Sequence, residues 1–165
     1  MSFHLAQVNV ARLLAPLDSD QLRPFVERLE RVNAAADLSP GFVWRLQTDE
    51  GNATAVRVFD DPEIIVNLSV WESLDALRAF AYREPKHVEV LQRRREFFER
   101  STEESLALWW VPAGSLPSVA DAEERLTLLR AIGPSPDAFT FKRHFPPPGE
   151  VQEAVADDRE LCPAP

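Results

Sequence analysis

The sequence lacks the residue patterns that identify most metal, redox and nucleotide sites. It contains one cysteine and three histidines in 165 residues, so neither an internal disulfide nor a cysteine-rich metal centre can form. The histidines have no His-x-x-x-His spacing and no carboxylate partner, so no metal site is expected. No glycine-rich phosphate-binding loop occurs. Cys162 lies in a proline-bounded acidic segment, where a catalytic role is not expected. A single cysteine in the chain fits a reducing cytoplasm.

Long hydrophobic runs and excess positive charge are also missing. No apolar stretch has the length of a membrane span, and residues 1–5 lack the basic segment and apolar core of a signal peptide. The formal net charge of -9 argues against nucleic acid and anionic membranes as partners. The chain is 45% hydrophobic and 27% charged, which is typical of a soluble globular domain. We therefore expect one cytoplasmic domain without a nucleic-acid or membrane partner.

Hydrophobic periodicity and turn residues predict an alternation of strands and helices. Four strands are predicted near residues 3–10, 42–47, 63–71 and 105–111. Helices are predicted after Ser19 or Asp20, from Leu74 to Ala81 after a Ser73 cap, over about 86–100 after Pro85, and after a Ser118 cap. In the second strand, the pattern places Phe42, Trp44 and Leu46 on one face. Residues 146–165 are proline-rich and acidic, which is typical of a mobile tail.

The order strand-helix-strand-strand-helix-strand predicts an α+β, ferredoxin-like split βαβ sheet. This antiparallel sheet has helices on one face, and the domain spans 1–145 with an added C-terminal helix. The other face of such a sheet must also be covered if it is apolar. We therefore predict a homodimer in which two sheets pack face to face.

The strand at 63–71 carries the main indication of a site. Side chains alternate along a strand, so Asn67, Ser69 and Trp71 share one face. A polar row that ends in a large aromatic is typical of a strand that lines a small-molecule pocket. Gln7 and Asn9 extend this row if the first strand is a neighbour with the same face in common.

Several segments resemble the antibiotic-biosynthesis-monooxygenase group, beginning with Asn67-x-x-x-Trp71 and the Glu72-Ser73 that follows. The whole chain is more similar to a bacterial domain-of-unknown-function family allied to that group. This likeness covers about residues 3–148 and is carried by residues 5–9, 39–44, 69–73, 93–96, 108–112 and 133–136.

The resemblance implies a ferredoxin-like fold and a dimeric α+β barrel. Some monooxygenases of the group oxidise aromatic polyketides with molecular oxygen and without flavin, haem or metal, so it implies no cofactor. In them, the Asn and Trp of the Asn-x-x-x-Trp motif are implicated in the reaction, and they correspond here to Asn67 and Trp71. Related barrels include haem-degrading enzymes and small-molecule isomerases.

Asn67, Trp71 and His87 are the candidate catalytic residues. Asn67 is suited to hydrogen-bond a substrate oxygen and stabilise an enolate-like anion, or it is a buried Asn satisfied by neighbouring backbone. Trp71 stacks on a flat substrate, or it fills the core. His87 is the best general base because its ordinary pKa is near neutrality; the alternative is a surface histidine in a first helical turn.

The candidate substrate contacts are more numerous. His87, Leu91 and either Arg94 or Arg95 would lie along one side of a continuous helix, although the arginines also suit a solvated ion-pair face. Tyr82 either closes a pocket mouth or packs. Four tryptophans against one tyrosine suggest an aromatic-lined cavity, with core packing as the alternative. The full set is Trp44, Ser69, Tyr82, Leu91, Arg95, Trp110, Gln7 and Asn9.

Three functions remain open at this point. The first is a cofactor-independent monooxygenase-like or isomerase-like enzyme that acts on a small aromatic or enolisable metabolite. The second is a non-catalytic binding protein for a hydrophobic small molecule or haem. The third is a dimeric scaffold without a ligand. No strong acid–base pair appears in the sequence, which weakens the case for the enzyme.

Overall fold

The structure is a computed structural model, and it describes residues 1–157. Its elements, in chain order, are β1 (Phe3–Arg12), α1 (Arg23–Asp37), β2 (Phe42–Arg45), β3 (Ile64–Trp71), α2 (Leu74–Arg83), α3 (Pro85–Gln92), α4 (Arg94–Phe97), β4 (Leu106–Pro112), α5 (Val119–Ile132), β5 (Arg143–His144) and β6 (Val155–Ala156). Within this part of the chain, no helix combines the length and the apolar character that crossing a membrane requires.

The main sheet has the strand order β2-β3-β1-β4, and all of its pairs are antiparallel. This order confirms the ferredoxin-like α+β prediction. Long β1 lies in the centre and pairs with β3 on one side and β4 on the other. The polar residues of β1 and β3 therefore become neighbours on one surface of the sheet.

The predicted helix over 86–100 is interrupted. α3 ends at Gln92, and Arg93 adopts φ -94° and ψ 4°, outside the regular helical region. α4 then covers a single turn, and the chain is extended again at Phe98. The break buries Phe97 completely, and Phe97 packs with Leu22 and Phe25. Burial of this ring offers a reason for the break, since regular continuation would change its direction.

Helices α1 to α4 lie on one face of the sheet, and α5 lies on the other. Ala122, Leu126 and Leu129 of α5 are buried in one cluster with the side chains of Ala6, Val8 and other even-numbered residues of β1 and β3. The Ser118–Asp121 capping box starts this helix. The expectation of helices on one face only is therefore corrected, because the added C-terminal helix covers the second face.

This arrangement bears on the predicted homodimer. That prediction rested on an apolar face that nothing in the chain covers. Val8 and Leu68 of this face are 0% and 1% exposed within one copy of the chain. The face-to-face dimer stays untested, and within the described residues α5 covers the apolar face that gave the physical reason for it.

A β-bulge in β2 changes which residues share a face. Phe42 pairs with Trp71, whereas Trp44 pairs with Val70, so the register shifts at Val43. An extra residue in one strand reverses the alternation beyond it. The prediction that Phe42 and Trp44 share a face is therefore wrong, since Trp44 packs on the α5 side and Phe42 on the other.

The segment after α5 returns to the α1–α4 side of the sheet. Phe139, Phe141 and Phe145 are buried there beside Trp71 and Leu77. Residues 146–157, which were predicted to belong to a mobile tail, fold back so that β6 pairs with β5. An Asp157 oxygen lies 2.8 Å from an Arg78 guanidinium nitrogen. The rest of the predicted tail, with Cys162, lies outside the described residues.

Candidate functional site: a polar quartet on the helix-covered face

Four polar side chains form a square on β1 and β3. Gln7 stands opposite Ser69, and Asn9 stands opposite Asn67. Side chains two apart on a strand share a face, and opposed residues are close neighbours. These residues are called the polar quartet below: Gln7, Asn9, Asn67 and Ser69.

The polar quartet separates two apolar clusters. On one side of it, Leu5 and Trp71 belong to a cluster with Leu77 and Phe139. On the other side, Ile65 packs against the Leu22–Phe25–Phe97 cluster. Asn9 and Asn67 are exposed although they lie on the face that the helices cover. The surface above this pair is therefore open, and we call it the central cleft.

The inner half of the quartet is joined to Trp71 by hydrogen bonds. Trp71 Nε1 donates to Ser69 Oγ at 2.9 Å, and Ser69 Oγ donates to Gln7 Oε1 at 2.8 Å. All three residues are buried, with Gln7 6% and Ser69 5% exposed. Buried polar groups normally have such partners, so this chain of bonds is a structural part of the site.

Trp71 lies at the end of the polar row, next to Ser69 and away from the exposed Asn9–Asn67 pair. Its ring meets Phe42 edge-on at 5.4 Å and stacks with Phe80 at 5.2 Å between ring centroids. Only 1% of the residue is exposed. In this arrangement, Trp71 contacts protein on all sides and reaches the quartet through its indole N–H.

His87 contacts Phe80, the ring that also stacks with Trp71. The His87 and Phe80 ring centroids are 4.9 Å apart, and His87 Nδ1 lies 2.8 Å from the carbonyl oxygen of Ala81. A carbonyl can only accept, so Nδ1 carries the hydrogen and the lone pair of neutral imidazole is on Nε2. Burial lowers the pKa of His87, opposed by the Ala81 hydrogen bond and the Glu84 charge. The ring is therefore neutral near pH 7.

Arg45 is a residue of this face that the sequence did not reveal. It pairs with Ser69 in the register of β2 and β3, so it flanks the quartet. Its guanidinium donates to Asp37 at 2.7 Å and to the Gly51 carbonyl at 2.8 Å, and its side chain is 11% exposed. No pattern in the sequence marks it, because the bulge at Val43 puts it on this face.

Arg45 also lines a separate surface hollow between α1 and the segment after β2. This hollow has a volume of about 660 Å³. Apolar Val26 and Leu29 contribute to it together with Asn33 and Glu30. No member of the polar quartet lines it, so it is a different place on the molecule.

The other predicted substrate contacts are only partly brought together. Trp44 lies on the α5 face, away from the quartet. Trp110 is on the quartet's face, but its Nε1 donates to the Phe145 carbonyl at 2.8 Å. The Tyr82 ring packs edge-on against Phe141 at 5.4 Å. These two aromatics belong to the apolar cluster beside the cleft.

The predicted alignment of His87, Leu91 and Arg94 or Arg95 required one continuous helix. The break at Arg93 separates His87 and Leu91 on α3 from the arginines on α4. Arg95 is exposed, and Leu91 is half-buried. Arg94 donates from Nη1 to the Leu91 carbonyl at 2.7 Å, so it caps the end of α3. These residues therefore do not share one side of a helix.

The quartet itself contains only amide and hydroxyl groups. These groups donate and accept hydrogen bonds without ionising at ordinary pH. Among residues 1–157, no group of three or more His, Cys, Asp or Glu side chains is arranged to hold a metal ion. The arrangement is suited to hydrogen-bond a neutral or anionic oxygen beside aromatic walls.

Comparison with known proteins identifies the chain by family. The family model described as "Domain of unknown function (DUF3291)" matches residues 4–155. A comparison with curated proteins finds no match. The matched range includes the main sheet except Phe3, together with α5 and the first residue of β6.

Several solved structures are similar to this one at low sequence identity. SnoaB, a cofactor-independent oxygenase from Streptomyces nogalater, is 20% identical with a TM-score of 0.48, covering 71% of this chain and 100% of its own. A conserved protein from Methanosarcina mazei is 13% identical with a TM-score of 0.48, covering 65% and 91%. A Chloroflexus aurantiacus protein assigned to the antibiotic biosynthesis monooxygenases is 16% identical with a TM-score of 0.43, covering 69% and 97%. The strand order, and not these likenesses, establishes the fold.

Proposed function

Since the chain belongs to the DUF3291 family, whose description names no activity, we propose a function from the site itself. The central cleft binds a small aromatic or enolisable molecule, and the carboxamides of Asn9 and Asn67 hold its carbonyl oxygen. One observation carries this proposal: the two residues stand opposite each other and exposed on a face whose other β1 and β3 residues are buried or half-buried. Exposed amide donors between two aromatic clusters suit a flat molecule with one polar edge.

The proposed reaction is a cofactor-independent oxygenation. Removal of a proton from a CH₂ group conjugated with the bound carbonyl gives an enolate, whose negative charge is concentrated on the oxygen. Preorganised amide N–H groups stabilise such a charge as it develops. The enolate carbon then passes electrons to O₂ and forms a C–O bond, giving a hydroperoxide that loses water. The balance is CH₂ + O₂ → C=O + H₂O. In an isomerase-like reaction, the proton returns to another carbon and no O₂ is consumed.

The proton acceptor in this proposal is water or the Nε2 atom of His87. The Ala81 carbonyl fixes the tautomer that leaves Nε2 unprotonated, and burial keeps the ring neutral by lowering its pKa. Because His87, within residues 1–157, packs on Phe80 and hydrogen-bonds to the Ala81 carbonyl and not to the quartet, His87 would act through a water molecule. Trp71 serves as a positioning residue behind Ser69.

A second candidate function is binding without turnover, of a hydrophobic small molecule or of haem. The specific observation in its favour is the composition of the quartet, which has no titratable side chain. A site without an adjacent acid–base group holds a ligand more readily than it transforms one. Haem binding would produce a visible absorption band when haem is added.

Anthrone, a planar ketone with an acidic CH₂ group, is a suitable test substrate because its oxygenation gives anthraquinone and water. The wild-type protein is expected to consume O₂ and form anthraquinone faster than the spontaneous background. Loss of one oxyanion donor in Asn67→Ala or Asn9→Ala should lower kcat by about tenfold or more. The matched control is Asn33→Ala, which removes a carboxamide from the separate hollow and should leave the rate unchanged.

The outcomes separate the two candidates. Saturable anthrone binding without O₂ consumption would support the binding protein and overturn the oxygenase. Equal rates in Asn67→Ala, Asn9→Ala and the control would show that the quartet does not perform the chemistry.

A further inference from the structure

The hydrogen-bond chain behind the cleft has a fixed direction. The indole N–H of Trp71 can only donate, so Ser69 Oγ must accept from it. The hydroxyl hydrogen of Ser69 is then directed to Gln7, whose Oε1 accepts it. The Gln7 amide is thereby oriented with its oxygen toward Ser69 and its Nε2 away from Ser69.

Gln7 Nε2 is the free end of this chain. Within the described residues 1–157 this nitrogen donates to no protein acceptor, since the only side-chain hydrogen bond of Gln7 is the one its oxygen accepts. Gln7 as a whole is 6% exposed, but Nε2 is not among the buried polar atoms that lack a partner, so it reaches solvent. A donor that is held in one orientation and open to solvent beside the exposed Asn9–Asn67 pair is suited to receive an acceptor from a ligand.

We propose that Gln7 Nε2 is a recognition donor for an acceptor oxygen of the ligand, a carbonyl or a phenolate, and that Ser69 and Trp71 are positioning residues that hold the amide in this orientation. This inference rests on the proposed function, because it places the ligand in the central cleft. It adds a specificity: the bound edge must accept hydrogen bonds, and an ammonium group at that edge is rejected because it can only donate and meets a donor.

The Trp71–Ser69–Gln7 hydrogen-bond chain also explains why a buried tryptophan belongs to the site. If the indole N–H were absent, Ser69 Oγ would lose its donor and its hydroxyl would be free to turn. Gln7 would then lose the bond that distinguishes its oxygen from its nitrogen. Trp71 would thus affect ligand recognition without touching the ligand.

Two matched probes isolate the acceptor. 9-Fluorenone is planar, has one carbonyl and no enolisable hydrogen, and fluorene carries CH₂ in its place. Equilibrium dialysis gives the Kd of each. The wild type is expected to bind 9-fluorenone about three- to tenfold more tightly than fluorene, as one neutral hydrogen bond allows. Gln7→Met should abolish this preference and keep the affinity for fluorene, whereas Gln92→Met on the exposed end of α3 should keep both.

Gln7→Glu provides a readout that a merely structural role would not change. Glu keeps an oxygen that can accept from Ser69 and is neutral only when protonated. Burial raises the pKa of a carboxyl group, so the variant should prefer 9-fluorenone at low pH, where it donates, and lose the preference as the pH rises. The wild-type preference should be independent of pH over the same range. Circular dichroism at each pH confirms that the variant is folded.

An unchanged preference in Gln7→Met, or a failure of the wild type to bind either probe, would overturn the proposal. So would a Gln7→Glu preference that does not depend on pH. Absence of anthrone turnover together with an intact, Gln7-dependent preference for 9-fluorenone would contradict the proposed oxygenase and support this inference. The two ideas therefore fail in distinguishable ways.

Discussion

Asn9 of β1 and Asn67 of β3 stand directly opposite each other, and both are exposed on the face that helices α1 to α4 cover. On this face, the quartet is flanked by the Leu5–Trp71 pair on one side and the Ala11–Ile65 pair on the other, and Trp71 and Ile65 take part in apolar clusters. A gap in the covering layer above two carboxamides is the feature that distinguishes this sheet face from a simple core.

Stability measurements should separate the exposed and buried halves of the quartet. Asn9→Ala and Asn67→Ala are expected to change the free energy of unfolding by at most about 0.5 kcal/mol, since both side chains are exposed. Gln7→Ala should cost about 1–3 kcal/mol because it leaves the buried Ser69 hydroxyl without its acceptor. Urea unfolding measures both. A loss in Asn67→Ala as large as that in Gln7→Ala would indicate a structural asparagine.

The bond between Trp71 and Ser69 predicts energetic coupling. A double-mutant cycle with Trp71→Phe and Ser69→Ala should give an interaction free energy of about 0.5–3 kcal/mol. Trp110→Phe combined with Ser69→Ala serves as the control, because Trp110 donates to the Phe145 backbone and shares no partner with Ser69. Additive changes in the free energy of unfolding for Trp71→Phe and Ser69→Ala would contradict the hydrogen bond between the two residues.

The half-buried His87 should make stability depend on pH. Its pKa in the folded state lies below the ordinary value of 6.5, so the unfolded chain binds more protons as the pH falls. Its contribution to stability is therefore complete above about pH 6.5 and is lost as the pH falls toward the folded-state value. His87→Gln keeps a donor for the Ala81 carbonyl without titrating. Its free energy of unfolding should fall less between neutral and acidic pH than that of the wild type, and an identical fall would contradict the burial of His87.

The position of α5 has a consequence for assembly. A face-to-face homodimer would need the surface that Leu126 and its neighbours in α5 now cover. Light scattering during size-exclusion chromatography is therefore expected to give the mass of one 18.6 kDa chain. A stable mass of two chains would restore the dimer prediction and require either that α5 move or that another surface pair.

Much of the fold follows from the sequence. The alternation in β1 and β3, the Ser73 and Ser118 caps, and Pro85 at the start of a helix all occur in the structure as predicted. These features depend on local spacing and backbone chemistry, which a sequence displays directly. The order of elements then restricts the sheet to a small set of topologies.

The features that the sequence did not reveal depend on tertiary packing. A one-residue bulge at Val43 moves Trp44 away from the site and brings Arg45 beside Ser69, although the sequence of β2 alternates regularly. The break at Arg93 accompanies the burial of Phe97. The choice between a partner subunit and α5 as the cover of the second face is invisible in periodicity, because both would bury the same apolar residues.

The central claim is that the quartet binds the oxygen of a small planar ligand in the cleft. Its most direct test is the side-chain amide region of a ¹H–¹⁵N correlation spectrum during titration with 9-fluorenone. The account predicts that the NH₂ resonances of Gln7, Asn9 and Asn67 shift with a single saturation curve, while those of Gln92 and Asn33 stay in place. Shifts confined to residues outside the quartet, or none at all, would contradict it.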